Sequence, residues 1–234
     1  MRVAIHQPHY FPWLGQMDKM AKSDVFVFLD EVQLTVKSNM YRNRLLKVNG
    51  EVAYITIAAC KHGYREKSFR EIELNPAVNW KNNHLSFLDN HYRKAPFYNE
   101  VMDKIMPFFI SSFNTVLEAA LASTSLVMEM LNIHTPTVLQ SSLSYNREAQ
   151  NSDLMLSICE EMQADIYLSG NGARKYMRTE DFLKKGIEVE FQEFVYPTYR
   201  QINTNEFVPN LSSLDVLFNL GIEQTQTKFW KNVL

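Results

Sequence analysis

The chain is short of several features that would classify it at once. It has two cysteines in 234 residues, Cys60 and Cys159, far apart and each beside apolar neighbours. That spacing argues against a disulfide framework or a Cys-rich metal site and leaves two reduced, buried or half-buried thiols. Net charge is also scarce, since 24 Lys and Arg against 26 Asp and Glu leave a formal charge of -2. No global basic field exists to draw a phosphate backbone, so no nucleic-acid partner is expected. No apolar run reaches the roughly 18 residues of a membrane span. The opening "MRVAI" lacks the length and flanks of a signal peptide. A cytoplasmic protein without a membrane partner is the expectation. Internal repeats and low-complexity segments are lacking as well.

What is present is an apolar fraction of 46%, enough for one substantial core, so residues 1–234 read as a single α/β domain. "RVAI", a Gly/Pro loop, "GQMDKMAKSD" and "VFVFLD" read as strand, loop, helix and strand. Leu14, Met17, Met20 and Ala21 fall at helical spacing, Asp18 and Lys19 take the polar face, and residues 25–29 form a buried-strand run. Such a βαβ opening implies a parallel sheet. Asn49-Gly50 between alternating segments marks a hairpin with strands near 43–48 and 51–58. Helix-period positions fill 78–94 and 98–131, giving a helical insertion over 75–132. The α/β pattern returns with "TVLQSS", then "NSDLMLSICEEMQA" capped by Asn151 or Ser152, "DIYLSG", "RTEDFLKKG" ending on Gly186, and "IEVEFQEF". A last helix, "LSSLDVLFNLG", starts at Ser212 and stops at Gly221. The expected fold is α/β: an open, mostly parallel, Rossmann-like (nucleotidylyltransferase-like) sheet with an inserted β-hairpin and a helical middle segment.

The densest chemistry lies in "HQPHYFPWLG", residues 6–15. Ligands of open parallel sheets sit beyond the carboxyl ends of strands, where strand order reverses. This stretch follows the first strand directly. His9, and after it His6, is the candidate general base, since an imidazole with a reference pKa of about 6.5 suits proton removal near neutrality. No Asp, Glu or Cys stands at ligand spacing beside the two histidines, so no metal is assigned. A plainer reading stays open, in which Tyr10, Phe11, Pro12 and Trp13 form a hydrophobic plug and the histidines bond backbone. The arrangement also resembles nucleotidylyl-transfer enzymes that carry His-x-Gly-His at a helix start. The aligned residues here are Trp13-Leu14-Gly15-Gln16, which keep the glycine, offer Gln16 as a neutral donor and lose both histidines.

Asp30 and Gln33 follow the second strand, and Lys37, Asn39, Arg42 and Arg44 come next, interleaved with Asn43. Cations with amides suit a phosphate or carboxylate, although arginines alternating on a hairpin strand also describe a solvated face. In "YLSGNGARKYM", Ser169, Gly170, Gly172 and Arg174 make a strand-ending turn before a helix start, where backbone N–H groups and a guanidinium meet an anion. An ordinary tight turn would satisfy the two glycines alone. Asn210 and Ser212 are placed at the same cleft, while His84 and His91 read as a packed or half-exposed helix face.

On "HQPHYFPWLGQMDKMAKSDVFVFLDEVQ", "KSNMYRNRLLKVNGEVAYITIAA", "YLSGNGARKY" and "FVPNLSSLDVLFNLG", the chain resembles the WbqC-like protein family over nearly its whole length. Where the family pattern reads "TIPV" this chain has "TIAAC", so the resemblance puts no function on Cys60. Members are associated with bacterial O-antigen and polysaccharide (lipopolysaccharide) gene clusters. The resemblance therefore implies a transferase or ligase that attaches an amino acid or small acyl group, such as glycine, to the amine of a nucleotide-linked amino sugar. In that picture Lys37, Arg42, Arg44 and Arg174 hold pyrophosphate or carboxylate. Gln7, Gln33, Asn39 and Ser169 orient the sugar or acyl group, and Tyr10 and Trp13 supply a stacking wall. Donor activation is left open between ATP with Mg and a carrier-activated amino acid. Two other readings stand beside it: a strict nucleotidylyltransferase releasing pyrophosphate, and a non-catalytic sugar-nucleotide-binding protein.

Overall fold

A computed structural model describes residues 1–60 and 62–233. The opening unit is β1 (Arg2–His6), α1 (Leu14–Ala21) and β2 (Val25–Phe28), followed by the hairpin β3 (Arg42–Leu46) and β4 (Val52–Thr56). Three helices come next, α2 (Trp80–Tyr92), α3 (Tyr98–Ile110) and α4 (Val116–Met130). The chain then runs through β5 (Thr137–Leu139), α5 (Asn151–Glu161), β6 (Ile166–Ser169), α6 (Thr179–Lys184), β7 (Glu188–Phe191) and α7 (Ser213–Val233).

The main sheet has the order β5-β2-β1-β6-β7 with every pairing parallel, an open Rossmann-like arrangement. From β1 the chain first builds outward on one side and then returns to build on the other, so strand order reverses between β1 and β6. Parallel strands bury both faces, and alternate residues divide between two cores. Ala4, Phe26, Phe28 and Leu168 face the larger core with α1, the helical middle and α7. Val3, Ile5, Val27 and Tyr167 face the smaller one, against Ile158 and Cys159 of α5 and Phe182 of α6. The hairpin is a separate antiparallel two-stranded sheet packed on α2 and α7. No helix among the described residues is long and apolar enough to cross a membrane.

Several local expectations are corrected. Residues 98–131 form two helices, because Ser111 turns extended and Thr115 opens α4 with a reciprocal cap. Thr115 Oγ1 accepts from the Glu118 N–H at 3.1 Å, and the Glu118 carboxylate accepts from the Asn114 N–H at 2.6 Å. Neither Asn151 nor Ser152 caps α5: Asn151 has φ 50°, and Ser152 Oγ accepts from Arg178 N instead. The segment after Gly170 is a 3-10 turn, Asn171–Lys175, rather than the start of an α-helix. Past Gly221 (φ 76°, ψ 174°) the chain resumes helix to Val233, so that glycine is a break within α7 and not its end. Gly186 does end α6, with its own N–H bonded to the Leu183 carbonyl and that of Ile187 to Phe182, a Schellman closure. Most consequential, Asp18 and Lys19 are not on a solvated face, being 0% and 3% exposed.

Candidate functional site

Two adjoining cavities of about 360 and 440 Å³ open at the carboxyl ends of β1 and β6, where strand order reverses. His6, Lys19, Gly170 and Gly172 line both, so they form the shared floor of one two-lobed cleft. The first lobe adds Trp13, Gln16, Gln192, Phe194, Tyr196 and Asn210. The second adds Gln7, Asn151, Met155, Tyr167, Ser169 and Tyr176 among others. Among the described residues, the walls of both lobes carry neither Asp, Glu nor Arg, and Lys19 is their one amine. Among the described residues no three His, Cys, Asp or Glu side chains converge to hold a metal ion.

The loop that makes this floor is held by its backbone. Phe11 has φ 38°, strained for an aromatic residue, and its surroundings over-determine it. Its N–H donates to Ser123 Oγ at 2.9 Å, and its carbonyl accepts from Asn43 Nδ2 at 2.7 Å and Ser212 Oγ at 2.8 Å. The Pro12 carbonyl accepts from Ser213 Oγ at 2.6 Å. Gly15 is required by its neighbour, since a Cβ there would fall 2.1 Å from the Trp13 ring.

His6 Nδ1 bonds the Gln7 carbonyl at 3.0 Å. A carbonyl only accepts, so Nδ1 carries the hydrogen and Nε2 keeps its lone pair. Burial, with the Lys19 charge adding to it, lowers the His6 pKa to about 4, so the ring is neutral at pH 7. His9 stands edge-on to His6, 4.8 Å between ring centroids, and is 7% exposed with Nδ1 unbonded. It backs His6 without lining either lobe, and burial, then His6 and Lys19, hold its pKa well below 6.5. Lys19 Nζ donates to the Ile5 carbonyl at 2.8 Å, and burial lowers its pKa to about 7. Burial pushes the nearby Cys159 thiol up to about 12, so no thiolate balances the amine at neutral pH. Asp18 faces away, paired with Lys22 at 2.8 Å and accepting from Gln192 Nε2 at 2.6 Å.

Of the site residues singled out in the sequence, the fold brings His6, Gln7, Trp13, Gly15, Gln16, Ser169, Gly170, Gly172 and Asn210 to the cleft. Gln16 donates to the Gln7 carbonyl at 3.2 Å and leaves its buried Oε1 unbonded. The others lie elsewhere. Tyr10 is fully buried, its hydroxyl bonded to His84 Nδ1 at 2.9 Å. Asn39 offers its carbonyl to the Tyr10 N–H. Asp30 is buried against Ser141, and Gln33 is an exposed donor to the Arg65 carbonyl. Arg42 stacks on Tyr54 and bonds the Lys37 carbonyl, while Arg44 stands on β3 with its carbonyl holding Ser212. Arg174 is exposed over the Phe191 ring. Lys19, Gln192, Phe194 and Tyr196 are among the cleft residues missed in the sequence. Lys19 reads with Asp18 as the polar face of α1, and the other three come from an irregular stretch with no pattern to place them.

These features define an α/β protein with a two-lobed cleft, lined by amides, aromatic and aliphatic side chains and one lysine, at the switch point of a parallel sheet. The chain belongs to the WbqC-like protein family, whose model matches residues 7–227. An uncharacterized protein of Mycobacterium tuberculosis, Rv1507c, is 29% identical over 224 residues, covering 95% of each chain. No solved structure matches the chain.

Proposed function

We propose that this protein is a cytoplasmic transferase of bacterial surface-polysaccharide biosynthesis that joins an activated amino acid or small acyl group to the amine of a nucleotide-linked amino sugar. The observation that carries the reading is the shared floor: one unprotonated imidazole nitrogen on His6, common to two lobes of similar size. A two-substrate reaction needs such a meeting point, with the reacting atoms held about 3 Å apart. The sugar nitrogen attacks the acyl carbon, a C–N bond forms, and the bond to the donor's leaving group breaks. His6 Nε2 takes the proton that the amine gives up. Trp13, Phe194 and Tyr196 form a stacking wall, and the amides of Gln16, Gln192 and Asn210 suit hydroxyls.

A strict nucleotidylyl transfer fits less well, since the walls offer no carboxylate for Mg²⁺ and no arginine for a triphosphate. The same walls favour a donor activated beforehand over ATP. Incubation with dTDP-4-amino-4,6-dideoxyhexoses and activated glycine, or with ATP, Mg and glycine, tests the reading by a mass increase on the sugar nucleotide. His6→Gln should lower the rate by about 100-fold or more. A folded protein that converts none of the amino-sugar and donor combinations is a binding protein or acts on another class.

A further inference from the structure

We propose that Lys19 is the anion anchor of the cleft, and that an oxyanion of the ligand, carboxylate or phosphate, binds to it together with a proton. The inference rests on the reading above only in taking the switch-point cleft as the ligand site.

The geometry leaves the amine without a counter-charge. Lys19 projects from α1 into the floor common to both lobes, is 3% exposed, and spends one of its three hydrogens on the Ile5 carbonyl. The groups facing it are neutral at pH 7. His6 and His9, from β1 and its loop, are kept unprotonated by burial. Cys159 of α5 and Tyr167 of β6 are kept protonated by burial, as is Tyr196 beyond β7. Tyr176 completes the second lobe as an exposed phenol. On α1 itself, Asp18 is already paired with Lys22. A buried ammonium is costly unless an opposite charge accompanies it, and among the described residues nothing supplies one here. A ligand oxyanion does, with the two remaining Nζ hydrogens to receive it. In the free protein burial places the amine near the midpoint of its titration at neutral pH. An adjacent anion raises that midpoint, so binding takes up a proton on the alkaline side of it.

The test follows the Lys19 side chain in the whole protein labelled with ¹³C at lysine Cε, with Lys19→Met identifying the resonance. The midpoint is read alone, with inorganic pyrophosphate, with inorganic phosphate and with acetate. At least one probe should raise it by about one pH unit or more. A response to the phosphates assigns the anchor to the nucleotide end of a substrate, and a response to acetate assigns it to the acyl donor. Wild-type affinity for that probe should fall as pH rises from the free midpoint near 7 to the bound midpoint, by about tenfold for each unit that separates the two. Lys19→Arg, which keeps its charge, should bind with no such slope. A midpoint that no probe moves overturns the proposal, even if product forms in the transfer assay. A midpoint that moves while no product forms removes acyl transfer and leaves the anchor standing.

Discussion

Helix α1 is eight residues long and its first seven are all buried, which shows what an amphipathic pattern does and does not say. The spacing of Leu14, Met17 and Met20 marks a face that packs on the core; it is silent about whether the opposite face meets water or a cleft. Lys19 and Gln16 meet a cleft. If His6 must be unprotonated to accept a proton and Lys19 must be protonated to hold an anion, kcat/KM should rise through a pKa of about 4 and fall through about 7. Rates measured across that range should give a bell with its maximum on the acid side of neutrality, and Lys19→Arg should remove the alkaline limb. Gly15→Ala tests the other wall. Its methyl group cannot enter without displacing the Trp13 ring, so a loss of about 1–3 kcal/mol in urea unfolding and a shift in tryptophan emission are expected.

At the level of elements, the segments with a strong local signal form where their residues place them. The Asn49-Gly50 hairpin, the helix stop at Gly186 and the start of α7 at Ser212 rest on chemistry confined to a few neighbouring residues, and so were legible. The division between α3 and α4 was not, because apolar periodicity runs on through residues 98–131 and only the Thr115–Glu118 cap ends one helix and begins the next. Asn43 was misread for a different reason. It alternates with two arginines like part of an anion site, yet it is fully buried and clamps the carbonyls of Tyr10 and Phe11, a contact across more than thirty residues. Gly221 carries a prediction at this scale. Its φ and ψ lie where only glycine is at ease, and a Cβ would meet the Phe97 ring at 2.5 Å. Gly221→Ala should lower stability by about 2 kcal/mol or more in chemical denaturation.

For the whole molecule, the parallel sheet and its switch point followed from the βαβ opening, and they located the cleft before any side chain was considered. The private walls followed only in part: Trp13, Gln16, Gln7 and Ser169 were legible beside their strands, whereas Gln192, Phe194 and Tyr196 come from an irregular stretch beyond β7. Charge on this scale is governed by buried neutral imidazoles. His6 and His84 have folded pKa values of about 4, and that of His9 lies well below 6.5. Each binds fewer protons folded than unfolded below pH 6.5, so stability is full above that value and is lost as pH falls toward 4, by about 3 kcal/mol each for His6 and His84. Lys19 adds no slope there, being protonated in both states. Urea midpoints should therefore decline steadily between pH 6.5 and 4, less steeply in His6→Gln; a midpoint constant over that interval would contradict the burial of these rings.

The shared floor of the cleft has one further consequence. His6 and Lys19 come from a single βα unit and Gly170 and Gly172 from the turn after β6, whereas the private walls draw on residues 192–210 for one lobe and on α5 for the other. Residues 192–210 line the first lobe and not the second, and Gln192 ties that stretch to Gly15 and Asp18 of α1. If the two lobes take the two substrates of the proposed transfer, a chimera exchanging residues 192–210 should change one specificity and inherit the other.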